Sequence, residues 1–300
     1  MHRPRIQLLA AFLVVYVVWG STFLGIRIAV LAGLPPILFA GVRFVVASLL
    51  LGSFAALRGQ RLPARPRDWL VAAVMGVLMI SLGNGLVTWG EQWVASNQTA
   101  LLVSSSALWI AWFGTFGAKG SPLTWRAKIG LGIGFAGVLL MLLPGNGFAL
   151  DHFQAQLVIV ASAVCWAAGA MYGRSATVVA QPLMFTSVQM FVGGLVMVIV
   201  GLASGDAAQW TWSWRGIGAL AYLIVFGSCL AYATYVWLLR RTTPDRLSTI
   251  SYVNPAVALL LGWWILDEDM SGTRLIGMIV ILLGLVLVAF KRRAGPSKHR

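Results

Sequence analysis

Three hundred residues with 59% hydrophobic content and only 10% charged do not describe a water-soluble domain, whose charged share is about 25%. A formal net charge of +14 would suggest a nucleic-acid partner in a soluble protein. Here the basic residues sit in short clusters between apolar runs, a pattern of membrane topology, so the expected partner is a lipid bilayer and no nucleic acid.

A helix crossing hydrocarbon needs about 20 mainly apolar residues. Ten such runs are predicted. The first five are Ile6–Val30, Pro36–Leu57, Trp69–Trp89, Asn97–Ala118 and Trp125–Leu143. The second five are Phe153–Tyr172, Pro182–Ala203, Trp214–Leu239, Leu247–Leu266 and Thr273–Phe290. Arg3 and Arg5 precede the first run as they would in a signal peptide. Its apolar stretch exceeds the roughly 7–15 residues of a signal core and its pattern recurs mid-chain, so it reads as a retained helix.

Loop charges set the orientation. With the amino terminus inside, only Arg215 and Arg274 fall in outer segments and only Arg27 and Arg43 within spans, leaving 18 of the 22 basic residues cytoplasmic. Glu91, Asp151, Asp206, Asp267, Glu268 and Asp269, six of the eight acids, fall outside. A wrong span count would invert every later loop, so the consistent bias predicts ten helices with both termini in the cytoplasm.

The chain also repeats itself. Trp19 to Arg27 and Trp166 to Arg174 have the same spacing 147 residues apart, and Gly130 matches Gly277 at that offset. At 146, Pro36 meets Pro182, Phe39 meets Phe185 and Arg43 meets Gln189. Each half, 6–143 and 153–290, therefore holds five spans. Five is odd, so the second copy must run through the membrane inverted, an arrangement that places a substrate site near the midplane between the halves. The fold class is an all-α polytopic membrane protein built of two inverted five-helix repeats.

Trp19-Gly20-Ser21-Thr22 with Arg27, Pro35-Pro36 through Arg43-Phe44, Gly83-Asn84-Gly85 and Tyr252-Val253-Asn254-Pro255 together resemble a drug/metabolite transporter of the EamA type, in particular its YedA-like bacterial inner-membrane branch. The resemblance covers nearly the whole length. It implies a basket of ten helices, with spans one, three, four, six, eight and nine around a central cavity. It also implies amino acids and related small metabolites as substrates, often moved outward, and a multi-pass location in the bacterial inner membrane. One position departs: the family often has a proline in span four matching Pro255, where this chain has Leu108, so a hinge is expected at Pro255.

Polar side chains within a membrane are costly and mark candidate sites. Arg43 lies about 10 Å into span two at 1.5 Å per residue, and Glu91 ends span three. They are expected either to pair as an outer gate, with Arg43 free to contact a substrate carboxylate, or to leave Arg43 snorkelling. Arg27 is expected to snorkel at the outer interface. Asn84, Thr88 and Ser105, among glycines and hydroxyls, could bind a zwitterion's ends or serve only helix packing. Ser21 and the aromatics Trp19, Trp109, Trp166, Tyr232 and Tyr252 complete the candidate binding wall. Trp69, Trp89, Trp93, Trp210, Trp212 and Trp214 are expected at the membrane interfaces. Asn254-Pro255 breaks span nine, since proline lacks the backbone donor. The break would free carbonyls for the cavity, act as a gating hinge, or be a static kink.

Cys165 and Cys229 lie inside apolar runs without metal-ligand spacing and read as reduced packing residues. No span has an Asp or Glu near its middle, as a proton-driven cation exporter would ordinarily have. No catalytic cluster or phosphate-binding glycine loop is present either. The expectation is a monomeric secondary transporter, neither enzyme nor cofactor-dependent, that moves zwitterionic metabolites by alternating access. Proton-coupled multidrug export and a passive channel are the alternatives.

Overall fold

Pro36 and Pro182 open two helices of equal length, each at the first helical position, where a missing N–H costs nothing. These helices, α2 (Pro36–Leu57) and α8 (Pro182–Ala203), are the same stretches the hydropathy predicts. The computed structural model describes residues 3–116, 122–142, 150–239, 241–242, 244–247, 249–269 and 272–289. Lys119, Arg240, the basic residues from Lys291 onward and the side chains of Arg3, Arg5, Asp151 and Arg274, counted in the charge pattern above, lie outside what is described.

Apart from the single turns Asp206–Gln209 and Pro244–Leu247, the remaining helices are α1 (Arg3–Leu31), α3 (Pro66–Gly90), α4 (Ser96–Ser104), α5 (Ser106–Phe113), α6 (Trp125–Leu142), α7 (Leu150–Ser175), α9 (Trp214–Leu238), α10 (Ile250–Leu266) and α11 (Gly272–Ala289). Among the described residues, seven helices are long and apolar enough to cross a membrane, and α10 and part of α11 are shorter apolar helices. Their outer faces carry exposed Leu9, Leu50, Leu139, Ile199, Leu260 and Leu283, a surface that only lipid solvates well. The chain is an all-helical, multi-pass membrane protein.

Two features depart from straight helices. The predicted fourth span is broken at Ser105 into α4 and α5, with the N–H groups of Leu108 and Trp109 both donating to the Ser105 carbonyl. The break needs no proline; Leu108 itself is fully buried against Gly134 of α6. In α3, Gly76–Asn84 is wound as a π-helix, and in α9, Leu223–Leu230 is too. These wider turns leave main-chain carbonyls to side chains and are frequent at functional sites.

Glycines let helices from the two halves touch backbone to backbone. A Cβ on Gly41 of α2 would lie 2.6 Å from the Val198 nitrogen of α8, and one on Gly194 would lie 2.8 Å from the Val45 nitrogen. Farther along the same seam, a Cβ on Gly52 would meet Ser187 Oγ at 2.8 Å. In the α6–α11 pair, Gly130 faces the Gly284 carbonyl and Gly137 faces the Gly277 carbonyl. Close approach of this kind is how helices pack where hydrocarbon offers no hydrophobic drive.

One end of the bundle is tied by the connections after α1, α3, α8 and α10. Thr211 Oγ1 donates to the Gly33 carbonyl at 2.9 Å, and Leu38 N–H to Asp206 Oδ2 at 3.2 Å. The Glu268 carboxylate accepts from Ser96 N–H (2.8 Å), Ser96 Oγ (3.0 Å) and Asn97 N–H (2.9 Å). It thereby caps the start of α4, where a negative charge is favoured. At the opposite end, Gln181 Oε1 accepts from Arg61 N–H and Gln60 Oε1 from Met184 N–H.

Candidate functional site

Between these ends lies a cavity of about 190 Å³. From α1 it is lined by Trp19, Thr22, Phe23 and Ile26, and from α3 by Gly83, Asn84 and Val87. The broken pair α4–α5 supplies Ala100, Val103, Ser104 and Ser106, and α7 supplies Ser162 and Trp166. Tyr232 enters from α9, Ser251, Asn254 and Pro255 from α10, and Arg43 from α2. The six spans implied by the resemblance all contribute, and α2 adds the charge.

Trp19 stands edge-on to Tyr232, centroids 5.1 Å apart, and beside Tyr235 at 5.0 Å. Its indole N–H donates to the Gly227 carbonyl at 3.2 Å, inside the π segment of α9. In the other π segment the Asn84 side-chain amide donates to the Met79 carbonyl at 3.0 Å, and Trp166 packs on Gly83, a Cβ there lying 3.2 Å from its ring. The π turns thus shape two walls of the cavity, and two of its lining side chains satisfy the carbonyls those turns release.

Arg43 is 3% exposed. Its Nε donates to Ser228 Oγ at 3.0 Å, its guanidinium lies 4.6 Å from the Phe44 ring centroid, and its Nη1 has no hydrogen-bond partner. On α10, Asn254 Oδ1 is likewise buried and unmet. Pro255 has no N–H for the Ser251 carbonyl one turn back, and both residues line the cavity. The residues that carry a buried guanidinium donor, an unmet amide oxygen and a proline-released carbonyl therefore border one chamber walled by tryptophan and tyrosine.

Several candidates stand elsewhere. Ser21 bonds the Val17 carbonyl and the Tyr222 hydroxyl, toward α9. Thr88 is fully buried and donates to the Asn84 carbonyl at 2.9 Å. Ser105 donates to the Leu102 carbonyl at 2.6 Å and forms the helix break, while its neighbours Ser104 and Ser106 face the cavity. Trp109 packs on Phe135 of α6 at 4.7 Å, and the Tyr252 hydroxyl donates to the Leu285 carbonyl of α11 at 2.8 Å. These two aromatics serve the seam with α6 and α11 because that side of their helices faces helices, not the chamber.

The expected Arg43–Glu91 ion pair is not formed: Glu91 is fully buried and neither carboxylate oxygen has a hydrogen-bond partner. Arg27 donates to the Glu91 main-chain carbonyl, so it is an internal tie and not a snorkelling anchor. Thr22, Ser162, Ser251 and Ser228 were missed. Thr22 and Ser162 sit three and four residues from Trp19 and Trp166, and Ser251 sits three before Asn254, spacings that share one helix face. Among the described residues no group of three His, Cys, Asp or Glu is placed to hold a metal ion.

A chamber among lipid-facing helices, walled largely by aromatic and apolar side chains and bordered by residues with unmet hydrogen-bonding groups, is the arrangement of a membrane transporter. The EamA-like transporter family model matches residues 6–143 and again 154–290, and the chain belongs to that family. It is 36% identical over 298 residues to the uncharacterized inner membrane transporter YedA of Escherichia coli strain K12, covering 99% of this chain and 95% of that one. It is 27% identical to the uncharacterized transporter YvbV of Bacillus subtilis, over 98% of this chain and 94% of that one. A WAT1-related chloroplastic protein of Arabidopsis thaliana is also 27% identical, over 91% of this chain and 67% of its own length. A solved crystal structure superposes with a TM-score of 0.67 at 19% identity, over 94% of this chain and 96% of that one, a likeness of fold.

Proposed function

We propose that this transporter moves small metabolites, amino acids and related zwitterions foremost, across the bacterial inner membrane by alternating access around the chamber. The carrying observation is the pairing of Arg43, with its unmet Nη1, and Asn254, with its unmet Oδ1, in one cavity. A guanidinium is the natural partner of a carboxylate, and an amide oxygen with a proline-released carbonyl suits an ammonium. Trp19, Trp166 and Tyr232 would receive the apolar part. A cavity of about 190 Å³ suits a solute of a few heavy atoms more readily than a bulky drug.

In this reading the chain crosses ten times as two inverted repeats, with both termini cytoplasmic. Three observations support it. The two π segments start at Gly76 and Leu223, 147 residues apart. The contacts Gly130–Gly284 and Gly137–Gly277 exchange under that offset, and Gly41–Val198 exchanges with Ser187–Gly52 under 146. The family model also matches the chain twice. Counting α4–α5 as one broken span and adding α10 and α11 to the seven long helices gives ten. The Glu268-capped end is then the outer one, and the resemblance implies outward transport.

The test is counterflow in proteoliposomes with a panel of labelled amino acids. Saturable counterflow, with its affinity weakened in Arg43→Gln, is expected. Flux that does not saturate would make the protein a channel, and movement of cationic dyes alone would make it a multidrug exporter.

A further inference from the structure

Glu91 follows α3 directly, fully buried and with both oxygens unmet. The charged groups that act on it electrostatically are Arg27 of α1, Glu268 from the segment after α10 and Arg43 of α2. Ala155 and Ile159 of α7 pack against the neighbouring Gly90. The two acids are treated differently. Glu268 accepts three hydrogen bonds at the start of α4, the surroundings of an ion. Glu91 accepts none, and an ionised carboxylate is strongly disfavoured in such a place. Burial, reinforced by Glu268, pushes the Glu91 carboxyl well above the ordinary carboxylate range against the pull of Arg27 and Arg43.

Arg27 is already engaged, donating to the Glu91 main chain. Arg43 is the cation with an unmet nitrogen, and it lines the cavity. An ionised Glu91 and an anionic group in the chamber would therefore compete for one guanidinium.

We propose that Glu91 is a proton-binding site linked through Arg43 to the chamber: with Glu91 protonated, Arg43 is released to the carboxylate of a bound solute, and loss of the proton returns the guanidinium to Glu91. This rests on the reading of the chamber as a carboxylate-binding site. The step is a single proton leaving the Glu91 carboxyl for water and returning to it; no other bond changes. Proton and solute then bind together and travel the same way. An inward proton gradient draws such a solute inward, and outward movement needs a steep opposing solute gradient.

Infrared difference spectroscopy on the full chain in nanodiscs tests this without a known substrate. A protonated-carboxyl band that fades as pH rises is expected in the parent protein and not in Glu91→Gln. Arg43→Gln should move the titration higher by removing a cation, and Glu268→Gln should move it lower by removing an anion. The band persisting in Glu91→Gln, or a titration that Arg43→Gln leaves in place, would overturn the proposal. A labelled amino-acid mixture should also raise the titration in the parent and not in Arg43→Gln. If no amino acid does so while the two mutant shifts stand, the proton site holds and it is the amino-acid reading of the chamber that falls.

Discussion

The two π segments are one backbone device fitted with different side chains. In α3, Ser81 Oγ donates to the Gly193 carbonyl of α8 at 2.8 Å, and Gln189 lies against Met79 and Gly76. In α9 the serine at the same offset, Ser228, accepts from Arg43 of α2, and Trp19 donates to Gly227. One turn is met by neutral groups; its counterpart is met by a guanidinium. The serines of the two turns thus have different partners, a main-chain carbonyl for Ser81 and a guanidinium for Ser228.

That contrast can be broken experimentally. The largest effect is expected from Arg43→Gln against Gln189→Ala. A hydrogen bond to a charged group contributes about 1.5 to 3 kcal/mol, so Arg43→Gln should weaken counterflow affinity roughly tenfold to hundredfold, with Gln189→Ala changing it by no more than a few-fold. Equal losses would mean the two turns do the same work. Next come Gly137→Ala and Gly284→Ala, whose new Cβ atoms meet main chain across the α6–α11 seam. Each should cost about 1 to 3 kcal/mol of stability, and thermal melting in detergent should show matching falls if the seam is truly reciprocal.

A pH series sharpens the comparison at the capped end. A carboxyl whose value is raised on folding holds its proton more tightly in the native state, so stability falls as pH climbs from the ordinary value of 4.5 toward the raised one. Melting temperature in the parent should fall across that window, and Glu91→Gln should flatten the fall. The smallest effect is expected from the tryptophans: Trp19→Phe loses the bond to Gly227 and about 1 kcal/mol. Trp166→Phe, with no such bond to lose, should alter melting and transport less.

Much of the scaffold was legible in the residues. Proline marked the starts of α2 and α8, and lengths of apolar sequence located the other helices within a few residues. The π turns and the Ser105 break were not legible, because they arise from how main-chain carbonyls are shared and leave no periodic signal in side chains. Nor could hydropathy separate the chamber side of a helix from its seam side. With lipid outside, both faces of α10 are apolar, so Tyr252 and Asn254 looked equally available; only packing turned one toward α11 and left the other in the cavity. Arg43 stands out in the sequence as a charge inside a span, yet its hydrogen-bond partner is Ser228, 185 positions away, a pairing that only the folded chain reveals.

The glycine seams also bear on how the protein is made. Gly41, Gly130 and Gly137 find their neighbours on α8 and α11, helices translated more than a hundred residues later. Through that interval the early helices sit in the bilayer with these notches open to lipid. Biosynthesis therefore includes a waiting period, during which half a protein must be kept from matching its notches with another unfinished copy.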